Sequence, residues 1–194
     1  CFDVTTGIGY NLVWHSMDGK DYWYENGKRQ GYDPRNSAYR GKEIYDPASD
    51  AWYWLDNVRQ GAKAVSKDVY QESEAGPWAE KADGTCKWVR YDQNGHMIKG
   101  WNTNENGTYY FDPVYGTMAK GVVTIDGSLY YFDVTTGVMQ ASVAASDEAM
   151  GDRVIELVNQ ERTSRGLQPL AKDNSLTVAA AIRAKELSQQ FSHT

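Results

Sequence analysis

Along most of the chain, apolar residues arrive in short aromatic bursts, each closed by an acid and followed a few positions later by a glycine. Tyr22-Trp23-Tyr24-Glu25, Trp52-Tyr53-Trp54-Leu55-Asp56, Trp88-Val89-Arg90-Tyr91-Asp92, Tyr109-Tyr110-Phe111-Asp112 and Tyr130-Tyr131-Phe132-Asp133 are five such units. Cys1-Phe2-Asp3-Val4-Thr5-Thr6-Gly7 nearly copies Tyr131 to Gly137 and supplies a sixth. Runs this short, bounded by glycine turns, predict β-strands in hairpins rather than helices. Asn26-Gly27 and Asn94-Gly95 fit tight hairpin turns, whose two central residues must both accept positive φ.

The last two units stand 21 residues apart, and Gly95, Gly116 and Gly137 keep the same interval. A hairpin of that size is too small to be stable alone and buries its aromatic face only by stacking on its neighbours. Residues 1–140 are therefore expected to form a mainly β domain, a solenoid of repeated β-hairpins. From acid to acid the spacing stretches to 31 and then 36 residues around Gly31 to Pro77, where longer loops or an extra strand pair are expected.

After a short linker at residues 141–146 the period changes. Met150, Val154, Leu157 and Val158 share one helical face, with Ser146 as N-cap, Asp147 and Glu148 in the first turn and Gly166 as the stop. A second helix begins at Asp173 to Ser175 and lays Leu176, Ala180, Ala184, Leu187 and Phe191 along one stripe. Leu167 and Leu170 anchor the connection between them. Residues 147–194 thus form a pair of α-helices, too short to bury both stripes unaided.

Composition divides the chain at the same place. All 7 Trp and 14 Tyr lie at or before Tyr131, whereas five of the eight Leu follow Asp147. Leu, Ile, Val and Phe make up only 33 of 194 residues, so aromatic rings must carry the packing of the long segment. A net charge of −6 argues against a nucleic-acid partner. No apolar run is long enough to span a membrane, and the opening residues lack the layout of a signal peptide. Cys1 and Cys86 are too few for a disulfide scaffold and have no metal-ligand spacing, though a pair between them stays open. No cofactor motif appears. Asn102 to Gly107 imitates half a calcium loop, but Pro113 stands where the bidentate acid belongs, so a hairpin turn is the better reading.

Gly100-Trp101, Gly107, Tyr109-Tyr110-Phe111-Asp112, Gly116, Met118 and Gly121 give the clearest copy of the repeat. This pattern resembles the cell-wall-binding repeats of Gram-positive surface proteins, of the choline-binding and glucan-binding type. The resemblance implies a non-catalytic anchor that is secreted and held at the bacterial surface, with cell-wall polysaccharide or choline-bearing teichoic acid as partner. The chemistry is consistent, because Trp and Tyr rings attract a quaternary ammonium by about 0.5–2 kcal/mol per contact and also suit sugar rings. Repetition then supplies avidity.

Trp14, Trp52, Trp88, Trp101 and Tyr109 are the candidate ligand-binding residues, while Tyr110, Phe111, Tyr131 and Phe132 are assigned to the core. The choline cage of such repeats resembles two tryptophans seven residues apart. Here the matching pairs are Trp14 with Asp21, Trp101 with Thr108 and Val122 with Leu129, which ranks a glycan ahead of choline.

In the tail, Val158-Asn159-Gln160-Glu161-Arg162, Gly166-Leu167, Pro169-Leu170, Arg183-Ala184 and Ser192-His193-Thr194 resemble the opening of the CAP superfamily, the cysteine-rich secretory, antigen 5 and pathogenesis-related proteins. That family is an α-β-α sandwich, and His193 matches its first cavity histidine. The helical pair then reads as a truncated piece of that sandwich. One histidine completes no metal site, so none is assigned to this chain.

Two competing readings remain. One is a fragment of a wall-modifying or CAP-type hydrolase, against which no catalytic constellation is recognisable and Asp46 with Asp50 reads as a turn. The other is a structural spacer or oligomerisation repeat.

Overall fold

The computed structural model describes residues 9–143 and 145–189. The opening repeat copy at Cys1 to Gly7, the end of the second stripe at Phe191, and His193 lie outside the described residues, as does any pairing of Cys1 with the buried Cys86. Among the described residues, thirteen strands precede two α-helices. They are β1 (Val13–Met17), β2 (Lys20–Glu25), β3 (Lys28–Arg29), β4 (Gly41–Asp46), β5 (Ala51–Asp56), β6 (Ala62–Lys63), β7 (Lys67–Glu74), β8 (Thr85–Tyr91), β9 (Gly100–Asn104), β10 (Gly107–Phe111), β11 (Gly121–Ile125), β12 (Ser128–Phe132) and β13 (Met139–Val143), followed by α1 (Ala145–Ser164) and α2 (Asn174–Gln189). The chain is mainly β with open sheets of six, two, three and two strands.

Two compact units emerge. The first takes the residues up to Gly100 together with Phe111–Met118, and the second takes Trp101–Tyr110 and Ala119 onward. In the first, β1 to β6 form one sheet in the order β1-β2-β6-β5-β4 with β3 on β2, and β7 pairs with β8. In the second, β11, β12 and β13 form an antiparallel sheet.

The consecutive aromatics follow from packing on both faces of the first sheet. Along β5, Tyr53 and Leu55 point one way and join Trp23 and Ile44, whereas Trp54 points the other way and joins Ala64, Val69, Val89 and Tyr91. On β2 the alternation is the same, with Trp23 on one side and Tyr22 and Tyr24 packed on Ala62 on the other. A strand covered on both faces reads as a continuous apolar run rather than an alternating one. Each such ring contributes about 1.5–3 kcal/mol of burial.

The acid that closes most bursts is a strand terminator. Asp112 Oδ1 accepts the backbone N–H groups of Val114 and Tyr115 at 2.8 and 2.7 Å, and Asp133 Oδ1 those of Thr135 and Thr136 at 2.9 and 2.7 Å. Asp92 does the same for Asn94 and His96. Aspartate reaches its own chain two to four residues on and so sets the turn. These bonds hold the Asp133 carboxyl below the usual aspartate range, the Thr136 N–H foremost. Asp46 belongs to the same class, capping Ala48 N–H at 2.9 Å.

Within the span of the expected linker, β13 runs to Val143 and α1 starts at Ala145. Gly166 ends α1 as expected, its N–H bonding to Thr163 O while the N–H of Leu167 returns to Arg162 O. Asp173 caps α2 through the N–H groups of Ser175 and Leu176.

The helical stripes differ from expectation. Met150, Val154, Leu157 and Val158 are all exposed on α1, as are Leu176, Ala180 and Ala184 on α2 and the two loop leucines, Leu167 and Leu170. Among the described residues of α2, Val178 is buried, with Ile182 one turn on, and this edge faces the β11–β13 sheet along a 440 Å³ groove that includes Val122 and Tyr131. The sheet supplies the partner for that edge, so a stripe chosen by side-chain size alone misses it. No α-β-α sandwich forms among the described residues.

Candidate functional site: exposed aromatic corners

Hairpin register decides which rings meet. Tyr45 lies directly opposite Trp52 on β4 and β5, and Tyr70 opposite Trp88 on β7 and β8. Directly opposed residues in an antiparallel pair lie close enough for their rings to touch. The ring centroids are 5.4 Å apart in both pairs.

Trp101 makes the most developed cluster. It opens β9 at 45% exposure and meets Tyr110 and Tyr130 at 4.9 Å each, with interplanar angles of 67° and 64°. Phe132 closes the floor at 6.2 Å from Trp101 and is itself fully buried. The result is a steep-walled aromatic corner on the second unit.

Trp52 borders a 190 Å³ pocket with Glu43, Glu74, Lys87, Met97, Val114 and Tyr115. Lys87 is buried, donates to Tyr115 O at 2.7 Å, and sits 3.2 Å from Glu43 Oε1. That oxygen receives charge neutralisation without a directed hydrogen bond. Burial pushes the Glu43 carboxyl up, and Lys87 pulls it partly back. A folded carboxyl that holds its proton more tightly than the unfolded one carries its penalty at neutral pH and sheds it as pH falls through the raised value. Lys87→Met, which leaves the buried carboxylate uncompensated, is expected to cost about 3 kcal/mol at pH 7. Urea denaturation should show that deficit narrowing toward pH 4.5; a deficit independent of pH would mean that Lys87 acts through packing alone.

Trp88 and Tyr70 border a 370 Å³ groove with Tyr39, Arg40, Trp54, Asp56, Lys67 and Asp68. The Arg40 guanidinium lies 5.8 Å from the Tyr70 ring, and Lys67 is paired to Asp56 at 2.7 Å. Trp14 is half-buried, edge-on to Trp23 and Tyr53, and its indole N–H donates to Asp46 Oδ2 at 3.0 Å.

Within the first unit Trp52 and Trp88 stand exposed on different hairpins while Trp14 is half-buried against Trp23 and Tyr53, and within the second unit Trp101 stands exposed. Tyr109 is 4% exposed, because it alternates inward on β10 while Tyr110 points out beside Trp101. Tyr45, Tyr70, Tyr110 and Tyr130 complete the clusters, and counting outward from each hairpin turn finds the first two. Tyr110 and Tyr131, read as core, are only half-buried, whereas Phe111 and Phe132 are fully buried. Among the described residues no group of three or more His, Cys, Asp or Glu converges as a metal site. No helix among them is long and apolar enough to cross a membrane.

Residues 101–142, the segment that builds the Trp101 corner, match the choline-binding repeat. Among solved structures, choline binding protein F from Streptococcus pneumoniae is 21% identical over 72% of this chain and 37% of its own, with a TM-score of 0.48. The Cpl-1 endolysin complexed with a peptidoglycan analogue is 20% identical over 72% and 34%, with a TM-score of 0.43. The autolysin LytC from Streptococcus pneumoniae is 21% identical over 69% and 28%, with a TM-score of 0.36. The chain thus spans about a third of the length of these proteins. No curated protein matches it. The matched segment is thus similar to a choline-binding repeat.

Proposed function

We propose that the chain is a non-catalytic, surface-located cell-wall-binding module whose Trp101 corner takes the trimethylammonium headgroup of a choline-bearing wall polymer. The observation that carries this reading is the coincidence of the choline-binding-repeat match with the exposed Trp101 ring and the half-buried Tyr110 and Tyr130 rings beside it. Walls set at about 65° suit a compact cation better than a flat sugar, which wants one open ring face. Two tyrosines stand in for the second tryptophan that the seven-residue spacing lacks, which reverses the order of ligands drawn from spacing alone.

Hairpin stacking supports the solenoid arrangement as part of this reading. The Met97 N–H bonds to Trp52 O at 2.9 Å and the Met118 N–H to Trp88 O at 2.8 Å, so the methionines that follow Gly95 and Gly116 each add onto a preceding tryptophan strand. The exposed stripe on α1 is what a further layer, of the kind a CAP-like domain provides, would cover. A glycan is the second reading, favoured at the Trp88 groove, where an indole is combined with Arg40, Lys67 and Asp68 as hydrogen-bonding groups.

Co-sedimentation with Gram-positive cell walls tests the reading. Binding should be released by millimolar free choline and should persist on walls stripped of other polymers but retaining choline. Binding that choline leaves untouched would transfer the ligand to the glycan, and absence of binding to any wall would leave the repeats with a structural role.

A further inference from the structure

One aromatic corner of the first unit already holds a cation. Lys63, on β6, places its Nζ 5.2 Å from the ring centroid of Trp14 and 5.6 Å from that of Tyr53. Those two rings meet at 4.9 Å and 66°, nearly the geometry that Trp101 makes with Tyr110 and Tyr130. Both distances fall within the roughly 6 Å over which a ring face attracts an ammonium.

Several contacts fix this lysine. Asp21 Oδ2 pairs with Nζ at 2.9 Å, and the Ser16 hydroxyl and Lys63 together hold the Asp21 carboxyl below the usual aspartate range. The lysine stem runs against Gly95, where an added Cβ would come within 2.9 Å of the Lys63 Cγ and Cδ atoms. His96 stands edge-on to Tyr53 at 5.3 Å, and the indole N–H of Trp14 is tied to Asp46. The Lys63 side chain is only 19% exposed. Arg29 repeats the device on the same unit, 5.1 Å from both the Tyr22 and Tyr32 rings.

We propose that Lys63 is the resident cation of the Trp14–Tyr53 corner, filling the place a quaternary ammonium ligand would take and so deciding that this corner does not bind one. The ligand class excluded is that of small organic ammonium groups, choline among them. This inference rests on the reading that the chain's aromatic corners recognise cations, and it makes Lys63 a specificity-determining residue. A lysine held by both rings and by a carboxylate on its own chain competes intramolecularly, so a free headgroup at millimolar concentration does not displace it.

Two measurements on the full chain test it. In a carbon-13 lysine-labelled sample, the Lys63 ε-methylene protons should be displaced upfield of the other lysines by the two rings, and Trp14→Leu should return them. Equilibrium dialysis with radiolabelled choline should show Lys63→Ala binding one equivalent more than the unmodified chain, Lys63→Arg binding the same number as the unmodified chain, and Lys63→Ala with Trp14→Leu losing the gained equivalent. Lys63 resonances in the bulk envelope would overturn the proposal, as would an unchanged equivalent count in a folded Lys63→Ala chain, or loss of an equivalent on Trp14→Leu alone. If the unmodified chain binds no choline, the proposed function fails at Trp101, while the upfield Lys63 signal and a count rising from zero would still uphold Lys63 as the occupant.

Discussion

Gly31→Ala is expected to lower the stability of the first unit by about 3 kcal/mol or more, enough to remove much of the 5–15 kcal/mol that holds a typical domain folded. Two costs add at this position. The backbone φ is +72°, which costs a residue with a Cβ about 1–2 kcal/mol. The added carbon would also lie 2.2 Å from Leu55 Cβ and 2.8 Å from its carbonyl oxygen, and both of those atoms belong to a central strand that cannot retreat. Overpacking of a closed core costs roughly a further 1–3 kcal/mol. Gly19→Ala separates the terms, because its φ is +68° but nothing lies within 4 Å of the new carbon. Urea denaturation should therefore show Gly19→Ala costing about 1 kcal/mol and Gly31→Ala about three times as much. Equal losses would mean that the Leu55 strand yields and that backbone conformation alone is felt.

The position of Gly31 against β5 also shows where sequence reading reaches its end. Periodicity reveals that the aromatic bursts are strands and that their acids and glycines are turns, because both are local properties of a few consecutive residues. Asp112 and Asp133 fulfil this within three positions of themselves. The partition into sheets is not local: a six-stranded sheet forms because Ala62 pairs on one side with Asp56 of β5 and on the other with Tyr22 of β2, forty residues earlier. Likewise the α2 face that is buried is set by the sheet it meets, at Val178 and not at the larger Leu176.

The candidate sites were legible to the same degree. Exposed tryptophans at 52, 88 and 101 follow from their place at the edge of each burst, but their partners come from opposing strands. Tyr109 shows the cost of ignoring strand alternation, since a one-residue step along β10 exchanges the interior for the surface. Lys63 was invisible for a different reason, because nothing in a two-residue strand announces that its ammonium will lie over rings from two other strands.

Trp101→Ala carries the largest expected loss of function. In the corner, Trp101 touches both Tyr110 and Tyr130, so its removal takes away one ring face and leaves the two tyrosines without the surface they brace against. A single cation–π contact contributes about 0.5–2 kcal/mol, and collapse of the second contact doubles the upper part of that range. Affinity for choline, or for walls bearing it, should therefore fall at least about tenfold, which corresponds to about 1.4 kcal/mol. Tyr130→Ala removes one wall and should cost about threefold, near the lower end of a single contact. Trp101→Phe keeps a ring but a weaker quadrupole and should lie between the two. Because Trp101 is 45% exposed, the fold should tolerate these changes with little loss of stability, which thermal melting of each variant can establish beside the isotherm. An unaltered isotherm for a folded Trp101→Ala chain would remove the corner from the binding surface and direct attention to Trp52 and the Glu43 pocket.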